Sequence, residues 1–177
     1  MPTTRPAFLQ RLFGSSADPQ AAARPLWRRV VEIARQPHWY TDGGVEDTVP
    51  GRFDMVSAVL SLAVLRMEDE PALREPSAQL IELFVADMDG QLREFGINDV
   101  VVGKHMGRLM STLGGRMGAY RDALKTDDDA AMAEAARRNV TLAEDADPGH
   151  LARELRRLAA SLANTDAADL LAGRIVA

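Results

Sequence analysis

The side chains with the most chemical potential in this 177-residue sequence are His38, His105 and His150, the carboxylates Asp87 and Asp89, and the pair Gly103-Lys104. A metal site needs ligands at short, defined spacings, and none of the three histidines has such a companion. His105 falls off the apolar stripe of its helix, so it reads as a surface or hydrogen-bonded histidine rather than a haem ligand. Asp87 and Asp89 are two residues apart, and on a helix they point about 160° away from each other. They cannot share one substrate as acid and base. Gly103-Lys104 lacks the preceding glycine and the following Ser/Thr of a phosphate loop. No Gly-x-Ser-x-Gly elbow is present to suggest a hydrolase nucleophile. The chain has no cysteine, which excludes disulfides and thiolate metal sites. These residues read as those of a non-enzyme with no catalytic residue, no metal and no cofactor. Methionines 55, 67, 88, 106, 110 and 117 lie mostly on apolar helix faces. They serve there either as adaptable packing or as a plastic surface for an apolar client.

One loop stands apart, HWYTDGGVEDTVPGRFD, from His38 to Asp54. It joins Trp39 and Tyr40, residue types favoured at interfaces, to Asp47, Arg52 and Asp54. The alternative account is structural: Thr48 or Asp47 caps the helix that follows, and Arg52 ties the loop down.

The elements that carry these residues are helical throughout. Pro25 to Gln36 is expected as a first body helix, with Leu26, Val30, Ile33 and Trp27 as its buried stripe. Gly51 to Glu68 is apolar nearly all round, which predicts a helix buried in the middle of a bundle. Pro76 to about Glu94 follows, with Ile81, Phe84, Val85, Met88, Leu92 and Phe95 expected on one buried face. Asn98-Asp99 begins a long helix to about Lys125, and Asp127-Asp128-Asp129 caps another that ends near Val140. His150 to Leu162 and Asp166 to Ile175 complete an all-α chain, with no alternating β-branched run and no internal repeat. The expected organisation is a basic N-terminal arm over 1–24, a compact helical core with a central buried helix over 25–125, and a C-terminal helical extension over 126–177 packed on that core.

The long helix holds Gly103, Gly107, Gly114, Gly115 and Gly118, although each interior glycine costs about 1 kcal/mol relative to alanine. On a helical wheel all but Gly115 join Ser111 in a strip beside the apolar stripe of Val102, Met106, Leu109, Met110, Leu113, Met117, Tyr120 and Leu124. Such a strip admits another backbone closely. The expected visitor is a helix of this same chain, the one around Val56–Leu65. A break or kink at Gly114-Gly115, or a helix from another protein, are the alternatives.

Net charge is −5, but Met1–Tyr40 carries six arginines against Asp18 and Glu32. A mildly basic arm on an acidic body lacks the dense basic face of a specific nucleic-acid binder. Within the arm, Pro6 to Phe13 places Phe8, Leu9, Leu12 and Phe13 on one side of two helical turns. This is either a loosely packed arm or a weak amphipathic anchor for a membrane or partner. No apolar run approaches the roughly 20 residues of a membrane span, and no signal-peptide core is present. A cytoplasmic protein, with peripheral contact at the inner membrane allowed, is the expectation.

Two blocks resemble a known family. GVEDTVPGRFDMVSAVLSL (44–62) and FVADMDGQLREFGINDVVVGKHMGRLM (84–110), the latter followed by GRMGAY, are similar to signatures of the ubiquinol–cytochrome c chaperones. The resemblance implies a non-enzymatic assembly factor for ubiquinol–cytochrome c reductase, respiratory complex III, in a short bacterial form. It implies cytochrome b, nascent or newly inserted, as the partner, with the ribosome or a small partner protein as further partners in some members. It also implies that Asp47, Thr48, Arg52, Asp54, Asp87, Asp89, Arg93 and Lys104 mark or support the client-facing surface, with Trp39 and Tyr40 anchoring apolar contacts. The rival readings are a helical carrier of haem or quinone, and a generic helical adaptor.

Overall fold

A computed structural model describes residues 18–94 and 99–177, and the side chains of 18–90 and 107–177. Eight α-helices are formed by the described residues: α1 (Arg24–Ala34), α2 (His38–Thr41), α3 (Val49–Glu68), α4 (Arg74–Glu94), α5 (Asp99–Leu124), α6 (Asp129–Asn139), α7 (Pro148–Asn164) and α8 (Ala167–Leu171), with a 3₁₀ turn at Pro71–Leu73. The only β pairing among them is an isolated antiparallel bridge between Val45 and Leu142. The fold is all-α, as the periodicity predicts.

Helix α3 is the centre, and α1, α4, α5 and α7 all pack against it. Its sequence demands this position, because residues from Asp54 to Val64 are buried without interruption. Ser57 and Ser61 enter that interior because each hydroxyl donates to the carbonyl one turn back, to Phe53 O (2.9 Å) and Ser57 O (2.7 Å). Helix α1 buries Leu26, Trp27, Val30 and Ile33, the stripe read from sequence. Polar side chains set several helix starts. Thr48, Asp128, Asp147 and Asp166 each accept a backbone N–H in the first turn of α3, α6, α7 and α8.

The C-terminal helices share the same apolar cluster as the rest, through Met132, Ala135, Leu151, Leu155, Leu158, Leu162 and Leu170. Two arginines fasten them by bonding helix C-terminal carbonyls. Arg66 on α3 donates to Leu162 O and Thr165 O at the end of α7. Arg156 on α7 donates to Ala123 O and Thr126 O at the end of α5 and to Asp128 O beyond it.

Two sequence expectations are corrected. On α4 the buried side chains are Leu80, Leu83 and Phe84, while Ile81, Val85 and Met88 are only half-buried. The apolar arc of α4 is wider than its neighbours cover, and they cover the Leu80–Leu83–Phe84 side. Leu92 and Phe95 lie outside the described side chains. On α5 the core line runs through Leu113, Tyr120 and Ala123. The helix continues unbroken through Gly114-Gly115. The described glycines of the strip lie opposite the core line, and the helix around Val56–Leu65 does not seat on them: among the described residues, a Cβ built at Gly107, Gly114, Gly115 or Gly118 would have nothing within 4 Å. Gly103 and His105 fall outside the described side chains.

Candidate functional site

The loop from Thr41 to Thr48 is a tightly fitted connector. Gly43 and Gly51 cannot carry side chains, since an added Cβ would stand 2.5 Å from Trp39 O and 2.0 Å from Glu46 O respectively. Gly44 has φ +70°, a left-handed conformation that favours glycine, against Ala146. The loop is stitched to the α6–α7 connection by Glu46 N–H donating to Thr141 O (3.0 Å) and Ala143 N–H donating to Gly44 O (2.9 Å). Thr48 Oγ1 accepts from Gly51 N–H, so Thr48 is the cap. Arg52 Nε donates to Asp47 Oδ1 at 2.6 Å on the exposed side, which holds the Asp47 carboxyl below its usual range.

The aromatic pair faces inward to different degrees. Trp39 is 2% exposed and its indole N–H donates to Ile33 O at 2.7 Å. Tyr40 is half-buried, its hydroxyl donating to Ala34 O at 2.8 Å. Burial raises the Tyr40 phenol pKa. Both side chains clamp the loop to the end of α1.

Asp54 is 6% exposed and is the hub of a network across three parts of the chain. It accepts from Arg116 Nη2 of α5 (2.5 Å), and from Thr141 N–H (2.9 Å) and Thr141 Oγ1 (2.6 Å) before α7. The Arg116 guanidinium lies 5.3 Å from the Phe53 ring centroid, a cation–π contact. Phe53 in turn stands 6.1 Å from Phe84 on α4. Arg116 Nη1 and the Tyr120 hydroxyl are buried beside this network and have no hydrogen-bond partner among the described residues. Burial pushes the Tyr120 phenol far above its usual range. Asp54 therefore fixes where α5 sits on α3. Sequence reasoning missed Arg116 and Thr141, whose partner lies 62 and 87 residues away in the chain.

The remaining residues distribute as follows. Asp87 is exposed and Asp89 half-exposed on α4, whereas Arg93 and Lys104 lie outside the described side chains. Trp39 and Asp54 are interior, so they support a surface rather than form one. Tyr40, Asp47, Arg52 and Asp87 keep accessible atoms.

The outward face of α5 presents Gly107, Ser111, Gly114 and Gly115, all exposed, with Met110 at 40% exposure on its border. Toward its C-terminal end this face opens into a groove of about 520 Å³ against α6, lined by Gly115, Gly118, Ala119, Ala131, Asp122 and Glu134, among others. Bare backbone, small side chains and a flexible methionine form a shallow seat that a helix can approach closely. Among the described residues, no cluster of three or more His, Cys, Asp or Glu is placed to hold a metal. No helix among them is long and apolar enough to cross a membrane.

The family model for the ubiquinol-cytochrome C chaperone matches residues 41–177. The match runs through the C-terminal helices, which carry no motif legible in the sequence. The chain is also similar to the crystal structure of the Cbp3 homolog from Brucella abortus, with a TM-score of 0.78 and 33% identity over 95% of this chain and 94% of that one. No curated protein matches.

Proposed function

The chain belongs to the ubiquinol–cytochrome c chaperone family, and we propose that it serves assembly of the reductase by binding newly made cytochrome b on the outward face of α5. The contact is between helices and makes or breaks no bond. One observation carries the reading. Four glycines exposed or half-exposed inside a long helix cost about 2–4 kcal/mol of this protein's own stability, and among the described residues nothing stands within 4 Å of where their side chains would begin. The return comes from outside: an apolar client helix approaches the bare backbone and gains dispersion contacts that larger side chains would block. Met110 adapts to the client's surface. Tyr40, Asp47, Arg52, Asp87, Asp89, Arg93 and Lys104 belong, on this reading, to the polar surroundings of the client, and Trp39, Thr48 and Asp54 hold those surroundings in place from within.

The test separates function from stability. Gly107→Leu combined with Gly114→Leu adds bulk where nothing stands and improves helix propensity, so the urea midpoint of the purified protein rises. In cells lacking the native copy, the variant captures less cytochrome b through a photoreactive residue at position 111 and supports less complex III. Unchanged capture by a protein that has become more stable would remove α5 from the client surface.

A further inference from the structure

Two buried polar groups of α5 stand one helical turn apart and have no hydrogen-bond partner among the described residues: Arg116 Nη1 and the Tyr120 hydroxyl. Tyr120 is 0% exposed, and the Arg116 side chain 12%. Bulk solvent does not reach the phenol. Most buried polar groups are paired, because an unpaired one gives up its hydration and gains nothing in return. Two such groups at one place on one helix point to a shared partner.

Position and charge narrow what that partner is. Side chains at i and i+4 are neighbours on a helix, with about 5–6 Å between their Cβ atoms. A helical tyrosine leans back over the turn before it, which for Tyr120 is the turn that carries Arg116. Both charges of the Asp54–Arg116 pair act on the phenol. Burial is the main cause of its raised pKa, with Arg116 opposing and Asp54 adding to the rise. Asp54 and Arg116 already neutralise each other at 2.5 Å. An anion brought here would be an unmatched buried charge, and a cation would face the guanidinium. A neutral ligand of one heavy atom, able to accept and to donate, fits both groups, and that ligand is water. Its lone pairs accept from Arg116 Nη1 and the Tyr120 O–H. One of its protons has a place on Asp54. A carboxylate offers about four acceptor positions, and Asp54 receives three hydrogen bonds, from Arg116 Nη2, Thr141 N–H and Thr141 Oγ1. About three partners is the usual complement of a buried water. We propose that one water molecule is held inside the junction of α3 and α5 by Arg116, Tyr120 and Asp54. The site is on the core side of α5 and does not depend on the client reading.

Tyr120→Phe gives the test its sign. A buried hydroxyl with no partner is a burden, and deleting it leaves the folded-to-unfolded ratio unchanged or raises it. A hydroxyl bonded to a held water loses that bond, and the ratio from urea unfolding should fall about fivefold. In an Arg116→Met background the water has already lost a ligand, and the same change should cost less than about twofold. A ratio that falls by less than about twofold, holds or rises in the otherwise native chain would overturn the proposal. So would an equal loss in both backgrounds. A crystal structure of the full chain is the second arm, and it needs no variant. It should show a single oxygen peak within about 3.2 Å of both Arg116 Nη1 and Tyr120 Oη, with no anomalous signal there after a bromide soak. A bromide peak at the site, no peak at all, or Tyr120 Oη bonded directly to a protein atom would each overturn it.

Discussion

Removing the Asp54 carboxylate is the sharpest perturbation the structure offers. Asp54→Ala strips Arg116 of its ion-pair partner and leaves Thr141 N–H and Oγ1 without the carboxylate they donate to. One buried guanidinium nitrogen of Arg116 already has no hydrogen-bond partner among the described residues, so the charge left behind is costly. Breaking a buried pair from one side costs about 3–5 kcal/mol. At about 2–4 °C per kcal/mol for a domain of this size, the melting temperature falls by about 6–20 °C. Arg116→Met leaves the carboxylate with Thr141 alone and should cost a similar amount. The double variant Asp54→Leu/Arg116→Met removes both charges together and should cost about 1–3 kcal/mol less than the sum of the two single variants. Urea unfolding followed by far-UV circular dichroism measures all three. Single variants that cost less than about 1 kcal/mol, or a double variant that shows simple additivity, would refute the hub. Complex III content should fall in step with lost stability for Asp54→Ala, in contrast to the α5 leucine variants.

Three further outcomes follow from the same geometry. Trp39→Ala should cost about 3–5 kcal/mol in urea unfolding, because the indole is buried; an unchanged midpoint would return Trp39 to the surface. Gly51→Ala should destabilise strongly by driving a Cβ against Glu46 O, with thermal unfolding as the readout and a neutral effect as the refutation. Burial holds the His38 imidazole pKa below its usual value, with Glu154 opposing. The unfolded chain therefore binds that proton more tightly, and the stability due to His38 is full above pH of about 6.5 and declines as pH falls through the lower folded value. His38→Gln should flatten the urea midpoint between about pH 7 and 5, and an unchanged slope would exclude His38 as the source.

Local chemistry made much of this protein legible without coordinates. Apolar residues all round Gly51–Glu68 admit only a central position, since any exposed face would leave them in water. The Asp127–Asp129 run and the choice of Thr48 or Asp47 announced two helix starts because a cap acts on N–H groups two or three residues away, whereas the caps at Asp147 and Asp166 were not read from the sequence. The family motifs were equally local, and GVEDTVPGRFD proves to be the end of a connector and the first turns of α3, with two glycines that admit no Cβ. What periodicity could not supply was the direction each apolar arc faces. On α4 it grouped Ile81, Val85 and Met88 with Phe84, and only the packing of α1 and α3 selects Leu80, Leu83 and Phe84 for the interior. The glycine strip of α5 was correctly placed on the helix, yet whether it met this chain or faced outward depended on the Asp54–Arg116 clamp. The fates of Trp39 and Asp54 were hidden for the same reason. A residue's spacing reports its near neighbours along the chain, whereas its burial is decided by partners brought from tens of residues away, and those only the assembled tertiary structure brings together.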